Sequence, residues 1–234
     1  MEMPSLPNFN APPRWGIFRE LTGLLELPKN VFGWGKPIVD GKSNPVLLVP
    51  GYRAGNFSME VIKKFLNHNN FNAIHWSEDY NNGHVEVMLE KLKSDILLYQ
   101  DKFHSKIHLL GWSLGGYLSR EAARELPDSV QSVITLATPI HGGPKYTISA
   151  KEYIKNGFDI DQIEATVTER NLNPIPVPIT SIYTKNDSII DWKSSIDPHL
   201  SEEDHFEVST THLGVIWSPD VFHIVSNRLK KNLI

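Results

Sequence analysis

From residue 45 onward, short apolar, β-branched runs alternate with segments of helical periodicity, and this alternation constrains the fold more than any other feature of the chain. The runs are "PVLLVPG", "FNAIHW", "KIHLLGW", "SVITLATP" and "PITSIYT", with a shorter one at "HFEVS". Helical patterns lie at Phe57–Asn67, Val85–Tyr99, Leu114–Leu126 and Pro219–Leu233. Strands that are apolar at nearly every position have no solvent face, so both faces of their sheet must be covered. Strands separated by helices predict parallel pairing with right-handed crossovers. The expected class is therefore α/β, with a mostly parallel central sheet of about six strands flanked by helices. All strand carboxyl ends then share one edge, where sites in such sheets collect.

The rhythm breaks between "LATP" and "PVPITSIYT". About forty residues there, roughly 140–177, hold two modest helical patterns, near Ala150–Asn156 and Asp161–Arg170, then the proline-rich "NLNPIPVP". A strandless connection of this length is usually functional. We read it as a small helical cap inserted above the sheet in a domain spanning 44–234; the competing reading is a helical excursion that only lengthens a crossover. Within it Tyr146, Tyr153, Ile154 and Phe158 are candidates to line an apolar substrate pocket, against simple core packing. Residues 1–43 form an N-terminal segment in which "RWGIFRELTGLLEL" sets Trp15, Phe18, Leu21 and Leu25 at helical spacing. An amphipathic helix docked on the core is expected, with contact to lipid as the sharper alternative.

Chemistry concentrates at "GWSLGG". Ser113 stands where the strand "KIHLLG" becomes the helix "SLGGYLSREAAREL". Reversing direction in so few residues strains the central residue and crowds its neighbours, which Gly111 and Gly115, two before and two after, relieve. The turn lifts the hydroxyl clear of the sheet edge and aims the first free N–H groups of the helix at the same place. The bland alternative is a packed turn or a helix-capping serine.

A serine hydroxyl needs a base, and the base an orienting acid. The strand "PITSIYT" runs into "KNDSIIDW", where Asp187 is the first carboxylate past the strand end and Asp191 the second. Asp187 is favoured; Asp191 suits a turn cap. Four histidines follow. His205 opens the last strand at the wrong edge, His223 lies inside the final helix, and His199 sits in a polar loop. His212, just past the strand in "STTHLGVIW", is the favoured base. An oxyanion would be held by the backbone amides of Leu114 and of Tyr52, with Gly51 admitting close approach. "HGG" at His141–Gly143 looks like an oxyanion motif, but it follows the strand after the serine, not the strand before it.

These residues together resemble a known family. The order Ser113, Asp187, His212, with "VLLVPGYRAG" upstream and "GWSLGG" at the elbow, is similar to the α/β-hydrolase superfamily. Within it the chain most resembles the bacterial lipase and esterase branch, related to triacylglycerol lipases and glycosylphosphatidylinositol inositol deacylases. "VITLATPIHGGP", "IYTKNDSIIDW" and "THLGVIWSPDVFHIVSNRL" carry the likeness through the rest of the chain, over about residues 44–234. The oxyanion strand ends in "PGY", where many lipases have "HG". The resemblance implies an α/β-hydrolase fold and a serine hydrolase acting on carboxylic esters, with apolar or lipid acyl groups, through an acyl-enzyme. A non-hydrolytic ligand-binding member and an acyltransferase share the same residues.

Composition narrows the partners. A net charge of −4 gives no basic excess to neutralise phosphates, so no nucleic-acid partner is expected. No cysteine is present, which excludes disulfides and thiolate metal sites and suits a reducing, cytoplasmic setting. No HExxH or Walker loop occurs, so neither metal nor nucleotide cofactor is expected. No signal-peptide pattern and no run of about 20 apolar residues is seen. Transient contact with a membrane surface is compatible with the sequence.

Overall fold

The computed structural model describes residues 8–30 and 34–233. Its centre is a six-stranded sheet in the order β2-β1-β3-β4-β5-β6, with every neighbouring pair parallel. The strands are β1 (Pro45–Val49), β2 (Asn72–His75), β3 (Ile107–Trp112), β4 (Val130–Leu136), β5 (Ile179–Tyr183) and β6 (His205–Glu207). The helices are α1 (Ile17–Glu20), α2 (Glu60–His68), α3 (Val85–Phe103), α4 (Leu114–Glu125), α5 (Ala150–Lys155), α6 (Ile160–Asn171) and α7 (Pro219–Lys231). The expected α/β class, strand count and coverage by helices all appear in this arrangement.

The near-continuous apolar strands are explained by two separate cores. Val46, Leu48, Leu110, Ile134 and Ile182 project to one face, onto Ile62 and Phe65 of α2 and Phe222 and Val225 of α7. Leu47, Val49, Leu109, Val133 and Ile179 project to the other, onto Leu92 and Ile96 of α3 and Leu118 and Ala122 of α4. Successive strand residues point to opposite faces, so a two-sided core demands apolar residues at consecutive positions. Burial of each such side chain contributes about 1.5–3 kcal/mol.

The strand order places the site. The chain begins at β1, steps to the edge strand β2, then returns across β1 to β3 and proceeds outward to β6. Direction reverses between β1 and β3, so the loops leaving their carboxyl ends part there and open a crevice. Gly51–Tyr52 follow β1, and Ser113 follows β3.

The N-terminal segment corrects one expectation. Trp15, Phe18, Leu21 and Leu25 do not face the core; Phe18 is 73% exposed, and the other three are exposed with it. The segment is not one regular helix. Four α-helical residues run into 3-10 turns over Leu21–Asn30, with Pro28 inside them. The face turned to the body is the opposite one, carrying Gly16, Glu20 and Gly23. Gly23 approaches so closely that an added Cβ would lie 2.4 Å from Thr211 Oγ1 and 2.8 Å from the Gly214 amide nitrogen. Backbone proximity, not apolar side chains, decides which face docks.

Among the described residues no helix is long and apolar enough to cross a membrane.

Candidate active site

Ser113 occupies a backbone conformation that ordinary residues avoid, φ 53° and ψ −123°. Such a residue costs on the order of 1–3 kcal/mol and persists only where its surroundings impose it. Three glycines do so here. A Cβ on Gly111 would lie 2.4 Å from the Gly115 carbonyl oxygen, and one on Gly115 would lie 2.1 Å from the Val49 carbonyl oxygen. Gly116, which sequence reasoning did not single out, is closed to a side chain by Thr138 Oγ1, 1.9 Å from its would-be Cβ. Gly111 thus lets strand and helix fold together, whereas Gly115 lets the elbow press on the end of β1.

That contact brings the β1 loop alongside. A Cβ on Gly51 would be 3.1 Å from Ser113 Cβ. Among the described residues, neither the Tyr52 nor the Leu114 amide has a hydrogen-bond acceptor. The loop is held by Asn81, a fully buried side chain. Its Nδ2 donates to the Pro50 carbonyl at 2.9 Å, and its backbone carbonyl accepts from Arg53 N at 2.8 Å. Sequence reasoning missed Asn81: in "EDYNNGH" nothing separates it from an ordinary loop asparagine.

Asp187, four residues past β5, and His212, five past β6, meet across their two loops. Asp187 Oδ2 accepts from His212 Nδ1 at 2.7 Å, with both side chains almost wholly buried. Asp187 Oδ1 accepts from the amides of Ile189 and Ile190, each at 2.8 Å, which leaves the other oxygen aimed at the imidazole. Trp112 Nε1 donates to the His212 carbonyl at 3.0 Å. Burial alone would depress the His212 pKa. The Asp187 charge, its hydrogen bond and the Glu20 charge outweigh that and raise it above the usual imidazole value. His212 and Ser113 line one cavity, and among the described residues Ser113 Oγ makes no hydrogen bond.

The competing residues are occupied elsewhere. Asp191 caps a 3-10 turn through Lys193 N at 3.1 Å and accepts from Asn10 N at 2.7 Å. His199 Nε2 bonds the Asn171 carbonyl, and His205 Nε2 accepts from Asp197 N. His223 lies in α7, its ring against Phe65. His141 Nε2 bonds the Ile196 carbonyl at 3.1 Å.

The cavity has a volume of about 450 Å³. The connection between β4 and β5 forms much of its wall, through Ile148, Tyr153, Phe158, Ile163 and Val167. Two of the four pocket candidates are therefore corrected. Tyr146 donates its hydroxyl to Glu164 at 2.6 Å and packs on Phe9, outside the cavity lining. Ile154 is exposed on the outer side of α5, because consecutive helical residues point about 100° apart and Tyr153 takes the inner side. Tyr153 packs on the Tyr52 ring, centroids 5.2 Å apart. Tyr52 OH donates to Glu152 at 3.3 Å, and Arg53 also pairs with Glu152, so α5 is tied to the β1 loop. Among the described residues, no three His, Asp or Glu side chains converge as a metal ion would require.

Parallel sheet, elbow after β3 and the order of the loops define an α/β-hydrolase fold. The family model of the alpha/beta hydrolase fold matches residues 72–159, which include Ser113 but neither Asp187 nor His212. Similar solved structures include Aspergillus fumigatus lipase B, 17% identical with a TM-score of 0.57 over 83% of this chain. This chain spans 55% of that lipase's length. A Paleococcus ferrophilus monoacylglycerol lipase is 15% identical with a TM-score of 0.58, covering 81% of this chain and 96% of its own. An esterase of Pyrococcus furiosus is 14% identical with a TM-score of 0.61, covering 83% and 85%. At these identities the likeness is one of fold. No curated protein matches the chain.

Proposed function

We propose that this protein is a serine hydrolase that cleaves carboxylic esters with apolar or lipid-like acyl groups through an acyl-enzyme on Ser113. The observation that carries the reading is the 2.7 Å bond between Asp187 and His212, made at the cavity into which the strained Ser113 elbow also opens. His212, kept in one tautomer by Asp187, takes the Ser113 proton as Oγ bonds to the ester carbonyl carbon. The amides of Leu114 and Tyr52 receive the oxyanion. The tetrahedral centre collapses, His212 protonates the departing alkoxide, and the acyl group stays on Ser113. Water then loses a proton to His212, attacks the acyl carbon and frees the acid, with the proton returning to Ser113. The hydrogen bond from Ser113 to His212 is one that tightens on substrate binding.

Apolar walls from Ile148, Ile163 and Val167 support an apolar acyl group. The connection over 140–177 acts as the cap that sets substrate choice. A cytoplasmic setting and transient contact with a lipid surface belong to the same reading, supported by the lack of cysteine and the exposed Trp15 and Phe18. The test is labelling with a serine-directed phosphonate, followed by a panel of short- and long-chain esters on wild type and Ser113→Ala. Labelling at Ser113 and loss of at least 10³-fold in kcat are expected. Ester cleavage that survives the substitution refutes the assignment.

A further inference from the structure

Glu20 is a carboxylate where no carboxylate is needed for packing. It closes α1 on the exposed N-terminal segment, yet it is itself 1% exposed. No Lys, Arg or His pairs with it among the described residues. Its two oxygens instead accept two backbone amides from far away in sequence: Oε1 from Ser188 N at 2.8 Å, and Oε2 from Leu213 N at 2.9 Å. Ser188 directly follows Asp187, and Leu213 directly follows His212. One rigid carboxylate therefore bridges the loop that carries the acid and the loop that carries the base. The approach is prepared on both sides. Gly16 lies against Ser188, its would-be Cβ 3.2 Å from Ser188 Cβ, and Gly23 lies against Thr211 and Gly214. Gly16, Glu20 and Gly23 fall at intervals of four and three, one face of the segment, and of these three only Glu20 carries a side chain, the one making the bridge.

We infer that Glu20 is a positioning residue, a clamp from the N-terminal segment that fixes the spacing of the Asp187 and His212 loops. The inference rests on the proposed serine-hydrolase reading for its functional consequence, but not for the clamp itself. A carboxylate suits the task because a charged acceptor bonds amides more strongly than a neutral one, and its two oxygens can serve two donors at once. Glutamine has one oxygen; its NH₂ group would face an amide N–H and lose one side of the bridge. The charge matters as well, because Asp187 and Glu20 are the two carboxylates acting on the His212 imidazole. Coupling between a remote segment and the site is thus electrostatic and geometric together.

The test is Glu20→Gln, read by the rate of phosphonate labelling at Ser113 across pH and by steady-state kinetics on a short-chain ester. Thr22→Ala, on the exposed side of the same segment, serves as the control. Expected for E20Q is a fall of about 10-fold or more in labelling rate and kcat, with KM little changed, since displaced catalytic groups lower rate before binding. The pH midpoint of labelling should move down, because one of the charges favouring the imidazolium is gone. A folded E20Q chain that labels at the wild-type rate with an unmoved midpoint overturns the inference. If E20Q does not fold, Glu20→Asp, too short to reach both amides, is read the same way with a partial loss expected. Wild type failing to label refutes the hydrolase reading alone. The clamp is then judged by amide hydrogen exchange: Ser188 and Leu213 slow in wild type and at least 10-fold faster in the variant supports it, and equal rates overturn it.

Discussion

Replacing Gly115 with alanine isolates the contact between the serine elbow and the end of β1. The added methyl would sit 2.1 Å from the Val49 carbonyl oxygen and 2.5 Å from that of Pro50. Ordinary contact begins near 3.4 Å, so the two backbones must part by about 1.3 Å. Neither neighbour is a flexible side-chain tip. Val49 is tied into β3 through its register with Gly111, and Pro50 is held by Asn81. Overpacking of this kind costs about 1–3 kcal/mol. For a chain of this size each kcal/mol lowers Tm by roughly 2–4 °C, so a fall of about 2–12 °C is expected. The effect on chemistry should exceed the effect on stability. Moving the β1 loop by ~1 Å carries the Tyr52 amide away from Ser113, and displacement on that scale costs on the order of 10²-fold. Loss of one oxyanion donor outright costs about 3 kcal/mol. The assay is thermal unfolding by circular dichroism beside kcat and KM on a short-chain ester, with the loss expected in kcat. Wild-type kcat in a folded Gly115→Ala chain would refute both the close approach and the role of the Tyr52 amide.

On the proposed mechanism, Asp187→Asn should lower kcat by about 10³–10⁴-fold, and move the pH midpoint of activity down, because burial then governs His212 without its main counter-charge. The same pair has a stability signature. A histidine whose folded pKa is raised adds stability that is fully present below its ordinary value of 6.5 and lost as pH rises through the folded value. The stability gap between wild type and D187N, measured by urea unfolding, should therefore be larger at about pH 5.5 than at pH 9; a gap that grows with pH refutes this. Ile163→Trp fills part of the cavity wall, so KM for long-chain esters should rise about 10-fold or more while acetyl esters change little. Equal effects on both chain lengths would remove α6 from the acyl site.

Much of this architecture is legible in the sequence because it is encoded locally. Consecutive apolar residues in "PVLLV" and "IHLLGW" state that both faces of a strand are buried, and the two cores on either side of β1 and β3 are the reason. The alternation of strands and helices, the glycines of the elbow and the placing of Asp187 and His212 after their strands all follow from rules that act within a few residues or along one sheet edge. Asp187 and His212 do meet, at 2.7 Å, where the sheet topology would put them.

Other features depend on what stands across from a residue, and a linear pattern holds no such information. Tyr153 and Ile154 are neighbours of similar apolarity, yet only the first faces the cavity, because α5 is a short helix whose rotation is set by its contact with Tyr52. Trp15 and Phe18 have the spacing of a buried face, but backbone approach at Gly16 and Gly23 turns that face to solvent. Asn81 and Glu20 read as ordinary polar residues. Their partners lie on loops brought near only when the sheet is assembled, the two amides held by Glu20 being 168 and 193 residues away. Sequence by itself determined the strands, the helices and the chemical groups carried to one edge. Tertiary structure alone decided which groups hold that edge together, since hydrogen bonds between distant loops have no period and leave no trace in neighbouring residues.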